Sequence, residues 1–101
     1  MRRSLLAFAG ARVTTNVTIG RYVHLNQNVT IGHDSVLGDF VSVNPLAAVS
    51  GECHVETGAL IGTTAAVLQG LRVGTGATVG AGACVVRNVP PWSVVKGVPA
   101  R

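Results

Sequence analysis

At 101 residues the chain has the length of one domain, small enough that the core of a single copy would be marginal. A hydrophobic content of 48% against 12% charged residues excludes a disordered polymer. Eight Lys and Arg against four Asp and Glu give a net charge of +4, but Arg12, Arg21, Arg72, Arg87, Lys96 and Arg101 are scattered and aromatics are few. That pattern suits a phosphate-bearing small ligand or a soluble basic surface rather than nucleic acid.

Met1-Arg2-Arg3 precedes the apolar run Leu5-Leu6-Ala7-Phe8-Ala9. Residues 1–10 are too few to span a membrane, and a run of about five falls short of the ~7–15 residues of a signal-peptide core. Residues 1–12 are read instead as a degenerate first rung, or the remnant of a missing N-terminal domain. Ala7 and Ala11 fall in the inward slots of the pattern that follows.

From residue 13 to residue 90 one six-residue pattern runs without a break. Val13, Ile19, Leu25, Ile31, Leu37, Val43, Val49, Val55, Ile61, Val67, Val73, Val79 and Val85 are all aliphatic. Val, Ile and Leu fill 29 of 101 positions, so thirteen in one phase has a chance probability of roughly one in ten million. The fourth residue after each is apolar or small, from Val17 to Val89, and Gly follows directly at 20, 32, 38, 62, 74 and 80. A period of six fits neither a helix nor simple alternation. It does fit a short strand plus a sharp bend, with Gly or Asn taking the bent or left-handed backbone. Three units close a triangular coil of 18 residues that stacks on the next at about 4.8 Å, so the 78 residues from 13 to 90 make about 4.3 coils.

Residues 18 apart then become vertical neighbours. Arg21 falls below Asp39, an opposite-charge pair. Asp34 falls below Glu52, a like-charge stack that costs stability unless a carboxylate finds a donor. Cys53 takes an inward slot and Cys84 an outward one, as packing or surface thiols of a reducing, cytoplasmic compartment. The pattern fades at Pro90-Pro91-Trp92, where two prolines deny a ladder its N–H donors, leaving residues 91–101 as a tail. A solenoid this short leaves flat side faces, which predicts an oligomer.

Three histidines are candidates for chemistry. His24 and His54 stand alone and read as solvated surface residues. His33 is followed by Asp34, and an adjacent carboxylate can hold an imidazole in one tautomer and raise its basicity, as a general base near neutral pH requires.

The hexad pattern resembles the hexapeptide-repeat acyltransferases, which implies a left-handed parallel β-helix. That hand opposes the usual crossover rule and does not follow from periodicity. The stretch Leu25-Asn26-Gln27-Asn28-Val29-Thr30-Ile31-Gly32-His33-Asp34-Ser35-Val36-Leu37-Gly38-Asp39-Phe40-Val41 is similar to bacterial sugar O- and N-acetyltransferases of the sialic acid and bacillosamine type. The tail Ser93-Val94-Val95-Lys96-Gly97-Val98-Pro99-Ala100-Arg101 resembles their C-terminal segment. Over about residues 12–101 the resemblance implies an acetyltransferase moving acetyl from acetyl-CoA to a sugar or nucleotide-sugar. His33 would be the catalytic base and Asp34 its orienting carboxylate. It also implies a homotrimer in which acetyl-CoA runs between two subunits past Ser42, Thr63 and Ala81, the last two one coil apart. At least some relatives have His where this chain has Ser42, and the family usually carries a nucleotide-sugar-binding α/β domain ahead of the β-helix. Arg87, Lys96 and Arg101 would meet the CoA phosphates or simply form a basic end. Two other readings stand beside this one: a non-catalytic trimeric scaffold, and a γ-carbonic-anhydrase-like metalloenzyme. The second is disfavoured because His24, His33 and His54 lie nine and twenty-one residues apart.

Overall fold

Residues 6–101 are described by the computed structural model, so Met1-Arg2-Arg3 and the first part of the expected rung over residues 1–12 lie outside it. Each hexad folds into a two-residue strand ending on the aliphatic residue, one linking residue, a two-residue turn and a second link. Three hexads close one coil, and the strands fall into three parallel sheets with no helix among the described residues. Face A stacks β1 (Leu6–Ala7), β4 (His24–Leu25), β7 (Ser42–Val43), β10 (Leu60–Ile61), β13 (Thr78–Val79) and β15 (Val94–Val95). Face B stacks β2 (Arg12–Val13), β5 (Thr30–Ile31), β8 (Ala48–Val49), β11 (Ala66–Val67) and β14 (Cys84–Val85). Face C stacks β3 (Thr18–Ile19), β6 (Val36–Leu37), β9 (His54–Val55) and β12 (Arg72–Val73). The 18-residue register holds throughout these ladders, as in Leu25 on Val43 on Ile61 on Val79, up to β13. This is the left-handed parallel β-helix expected from the sequence, a prism of 32 × 22 × 18 Å.

The aliphatic column is the core. From Ile19 to Val85 every member is at most 4% exposed, and the small column beside it is buried from Val23 through Ala65 and again at Ala77 and Ala83. At the lower end Ala7 and Val13 are exposed, and among the described residues their strands pair only with the coil above. Ser35 is the buried polar member of the small column; its hydroxyl donates to the Ser50 carbonyl at 3.0 Å and accepts from the Cys53 N–H at 3.2 Å. Cys53 is buried with its thiol donating to the Leu68 carbonyl at 3.1 Å, and burial pushes its pKa up; Cys84 faces outward on face B.

Two sequence expectations need correction. The glycines that directly follow the aliphatic residue do not supply the left-handed bend. That bend falls two residues later, where φ lies between 57° and 79° at thirteen successive turns from Gly10 to Gly82, non-glycine residues such as Asn16, Asp34 and Phe40 included. The glycines at 20, 32, 38, 62, 74 and 80 avoid the left-handed region. They serve close approach instead: a Cβ on Gly38 would lie 2.7 Å from the Thr57 nitrogen one coil up, and one on Gly62 2.6 Å from the Ala81 nitrogen.

Nor does the solenoid stop at the prolines, since β15 adds a further strand to face A at a 16-residue offset from β13. The final coil has lost two residues where it turns at Arg87 and Asn88, so Val89 rather than residue 91 bridges Val73. On face C the linking residue donates its N–H to the coil above, as Gly38 does to Val55 and Gly74 to Val89. Pro90 takes that slot in the last coil, so its missing N–H costs no ladder bond there and leaves no donor for a further strand. Residues 97–101 fold over the end, with the Cys84 N–H on the Gly97 carbonyl and the Ala100 N–H on the Cys84 carbonyl.

The two roles of glycine separate in a thermal unfolding experiment. Gly62→Ala is expected to lose roughly 1–3 kcal/mol from overpacking against backbone. Gly70→Asn, at a left-handed turn with nothing within 4 Å of an added Cβ, should stay within about 1 kcal/mol.

Candidate active site

The corner where the chain passes from face B to face C stacks Thr15, His33, Gly51 and Gln69 in its first turn position. Asn16, Asp34, Glu52 and Gly70 stack in the second, left-handed one. A left-handed residue tolerates Asn and Asp better than most side chains. The turn between β5 and β6 therefore presents His33 and Asp34 side by side at the prism's edge, each about half exposed. Backbone bonds tie this turn to both neighbours: the Asp34 N–H donates to the Thr15 carbonyl at 3.0 Å, and the Glu52 N–H to the His33 carbonyl at 2.7 Å.

Both Asp34 oxygens are engaged. Oδ2 lies 2.9 Å from His33 Nδ1, and Oδ1 accepts from Asn16 Nδ2 at 2.6 Å. An ionised carboxylate only accepts, so neutral His33 carries its proton on Nδ1 and leaves Nε2 basic. The hydrogen bond to Asp34 raises the His33 pKa above the ordinary histidine value; the charges of Asp34 and Glu52 add to this and partial desolvation opposes it. The bonds from His33 and then Asn16 hold the Asp34 carboxyl below its usual range. Above the ring, Gly51 makes room for the Nε2 edge, since a Cβ there would lie 2.6 Å from Nε2. The stack of Asp34 under Glu52 is relieved as the donor argument requires, Glu52 accepting from Gln69 Nε2 at 3.0 Å. Arg21 and Asp39 also meet as expected, with a 2.7 Å bond from the Arg21 N–H to the Asp39 carboxylate and a looser 3.7 Å ion pair.

The other expected site residues lie elsewhere on the prism. Ser42 sits half-buried on face A, laddered between His24 and Leu60. Thr63 and Ala81 are exposed in one column of the corner between faces A and B, joined by the Gly82 N–H on the Thr63 carbonyl at 2.8 Å. Face B separates that corner from His33, so a single chain does not gather the five residues into one pocket. His24 lies on face A, away from the His33 corner, whereas His54 lies on face C, one of the two faces that meet at that corner. Arg87 and Arg101 frame a hollow of about 220 Å³ with Val85, Val89, Val95 and Ala100, and Lys96 shares backbone bonds with Arg101.

Sequence reasoning missed several contacts, the bond of Gln69 to Glu52 among them. Asn16 lies 18 residues below Asp34, so the vertical rule that paired Arg21 with Asp39 would have found it. Gly51 over His33 obeys the same rule. The ion pair of Glu56 with Arg72 does not, because these residues are 16 apart and meet diagonally; Arg72 holds the Glu56 carboxyl below its usual range. They line a shallow hollow of about 360 Å³ on face C with His54, Thr57 and Thr75.

No family model matches the sequence. A stretch of 53 residues is 39% identical to the GDP-perosamine N-acetyltransferase of Escherichia coli O157:H7, covering 52% of this chain and 24% of that protein. The acetyltransferase domain of PglB from Neisseria gonorrhoeae FA1090 matches in structure with a TM-score of 0.79 at 32% identity, over 98% of this chain and 51% of that one. The same domain has been solved in complex with acetyl coenzyme A. The serine acetyltransferase CysE of Neisseria gonorrhoeae, in complex with serine, gives a TM-score of 0.81 at 30% identity, over 88% of this chain and 41% of that one. The chain thus spans about half the length of these solved relatives or less. The resemblance to hexapeptide-repeat sugar acetyltransferases extends from motif to three-dimensional structure.

Gly51→Ala tests the geometry around Nε2. The added methyl meets the end of a side chain that can swing away, so stability should change by no more than about 1 kcal/mol. The His33–Asp34 bond should break, and NMR titration of the His33 ring should show its pKa falling.

Proposed function

We propose that the chain transfers the acetyl group of acetyl-CoA to a hydroxyl or amine of a sugar or nucleotide-sugar, with His33 as general base. The observation that carries this reading is the His33 imidazole at an exposed corner, held through Nδ1 by Asp34 with Nε2 beside Gly51, the residue without a side chain on the next coil. Nε2 takes the proton of the acceptor as its oxygen or nitrogen attacks the thioester carbonyl. When the tetrahedral intermediate collapses, the C–S bond breaks and the imidazolium returns the proton to the departing thiolate. Asp34 orients the ring and stabilises its charged form, as an acceptor on Nδ1–H does. The acyl donor is placed against Ser42, Thr63 and Ala81 of an adjoining copy in a homotrimer, which brings the two separated corners to one groove. Similarity to a protein named as a GDP-perosamine N-acetyltransferase supports a nucleotide-sugar acceptor. Similarity to a domain solved with acetyl coenzyme A supports the donor. The free thiols Cys53 and Cys84 fit a reducing, cytoplasmic setting.

A second acceptor class has its own observation, the likeness to a serine acetyltransferase. A panel of amino sugars, nucleotide-sugars and serine, assayed for acetyl transfer, distinguishes the two. A non-catalytic scaffold would bind no CoA and lose nothing in His33→Ala, whereas the proposed enzyme should lose about 10²–10⁴-fold in kcat.

The pH dependence has a definite sign. His33 must be neutral to accept a proton, and Asp34 raises its pKa, so the acid limb of kcat/KM should fall above the ordinary histidine value of about 6.5. Asp34→Asn is expected to move that limb to lower pH and to reduce kcat with acetyl-CoA affinity nearly intact. A large loss of affinity would assign Asp34 to donor binding instead.

A further inference from the structure

We propose that Asn16 is a positioning residue for this site: from the coil below, its amide locks the Asp34 carboxylate so that Asp34 can hold His33 with Nε2 free. The terminal torsion of an aspartate is broad and nearly two-fold. A half-exposed Asp34 would therefore not keep one oxygen on Nδ1 without a second anchor. Asn16 supplies it through the 2.6 Å bond from Nδ2 to Oδ1, leaving Oδ2 for the 2.9 Å contact with His33. The bond joins two coils, so the side-chain chain Asn16–Asp34–His33 runs parallel to the backbone bond from the Asp34 N–H to the Thr15 carbonyl. The two together fix both ends of the residue that orients the base. The charged groups facing the ring are Asp34 and Glu52, and Gln69 holds the latter on the next coil up.

A simpler account is that Asn16 is present because its turn needs φ near +60°. Asn28 shows what that demand yields alone: it fills the equivalent slot of another corner, in a column with Gly10 below and Leu46 above, where no carboxylate awaits its amide. Glycine meets the backbone demand at least as well as asparagine, so Asn16→Gly removes the donor without opposing the turn.

The rate arm of the test rests on the acetyl-transfer reading; the spectroscopic arm does not. In the unmodified chain ¹⁵N NMR of neutral His33 should show the Nδ1–H tautomer. Asn16→Gly should give a mixture with Nε2–H and a lower His33 pKa. Asn16→Asp, which keeps the shape but replaces the donor by a second carboxylate, should also lose the single tautomer. In the transfer assay Asn16→Gly should lower kcat about 10-fold and leave acetyl-CoA affinity within about twofold. A His33 tautomer and pKa unchanged in Asn16→Gly would overturn the proposal, even if acetyl transfer is real. A tautomer shift in a chain that transfers no acetyl group would uphold the positioning of His33 and overturn the proposed reaction.

Discussion

One backbone requirement governs the molecule: at nearly every sixth residue the chain must turn through the left-handed region while two stacked coils approach within backbone contact. Those thirteen turns from Gly10 to Gly82 set the three faces, the edges between them and the columns along which side chains stack. The requirement has a cost where the sequence does not use Gly, Asn or Asp. Tyr22, Phe40, Leu46 and Trp92 all sit at positive φ, a conformation that disfavours a side chain by roughly 1–2 kcal/mol. Stacking offsets part of this for Tyr22 and Phe40, whose rings lie 5.3 Å apart at 14°, a contact worth about 0.5–1.5 kcal/mol. Trp92 packs its ring over Gly76, where a side chain would have no room. The strain thus falls on edge residues, while the column from Ile19 to Val85 stays uniformly aliphatic.

Much of this was legible because the period is a direct image of the fold. The aliphatic column, the small column, the 18-residue coil and the pairing of Arg21 with Asp39 all follow from counting. Glycine was misread because a composition pattern cannot tell a residue chosen for its φ from one chosen for lack of a Cβ. Gly38 and Gly62 are of the second kind, and only the neighbouring coil reveals it. The prolines were misread for a related reason. Whether a missing N–H matters depends on whether an acceptor lies above it, and at Pro90 none does. Glu56 and Arg72 escaped because long side chains reach diagonally, which a vertical rule ignores.

At the candidate site the legible part was the pair His33 and Asp34, since adjacent residues in one turn share an edge whatever the rest of the fold does. The coils above and below were harder to see. Asn16, Gly51, Glu52 and Gln69 are remote in sequence, and each acts on the pair through one contact. Carboxylates stacked at coil spacing would normally repel; here each has its own donor, and the residual negative field falls on the imidazole. A conflict with stability visible in the sequence becomes, in the structure, the electrostatic setting of an imidazole.

The separation of the two corners limits what one chain can do. His33 and Asp34 stand on the edge between faces B and C, Thr63 and Ala81 on the edge between A and B, and Ser42 on face A. A straight prism cannot bring its own edges together, because among the described residues its turns carry no long loop able to fold across a face. On the acetyl-transfer reading, donor and base must therefore meet across a boundary between copies, and association becomes a condition of chemistry. Backbone bonds to the coils on either side hold the His33 turn in place.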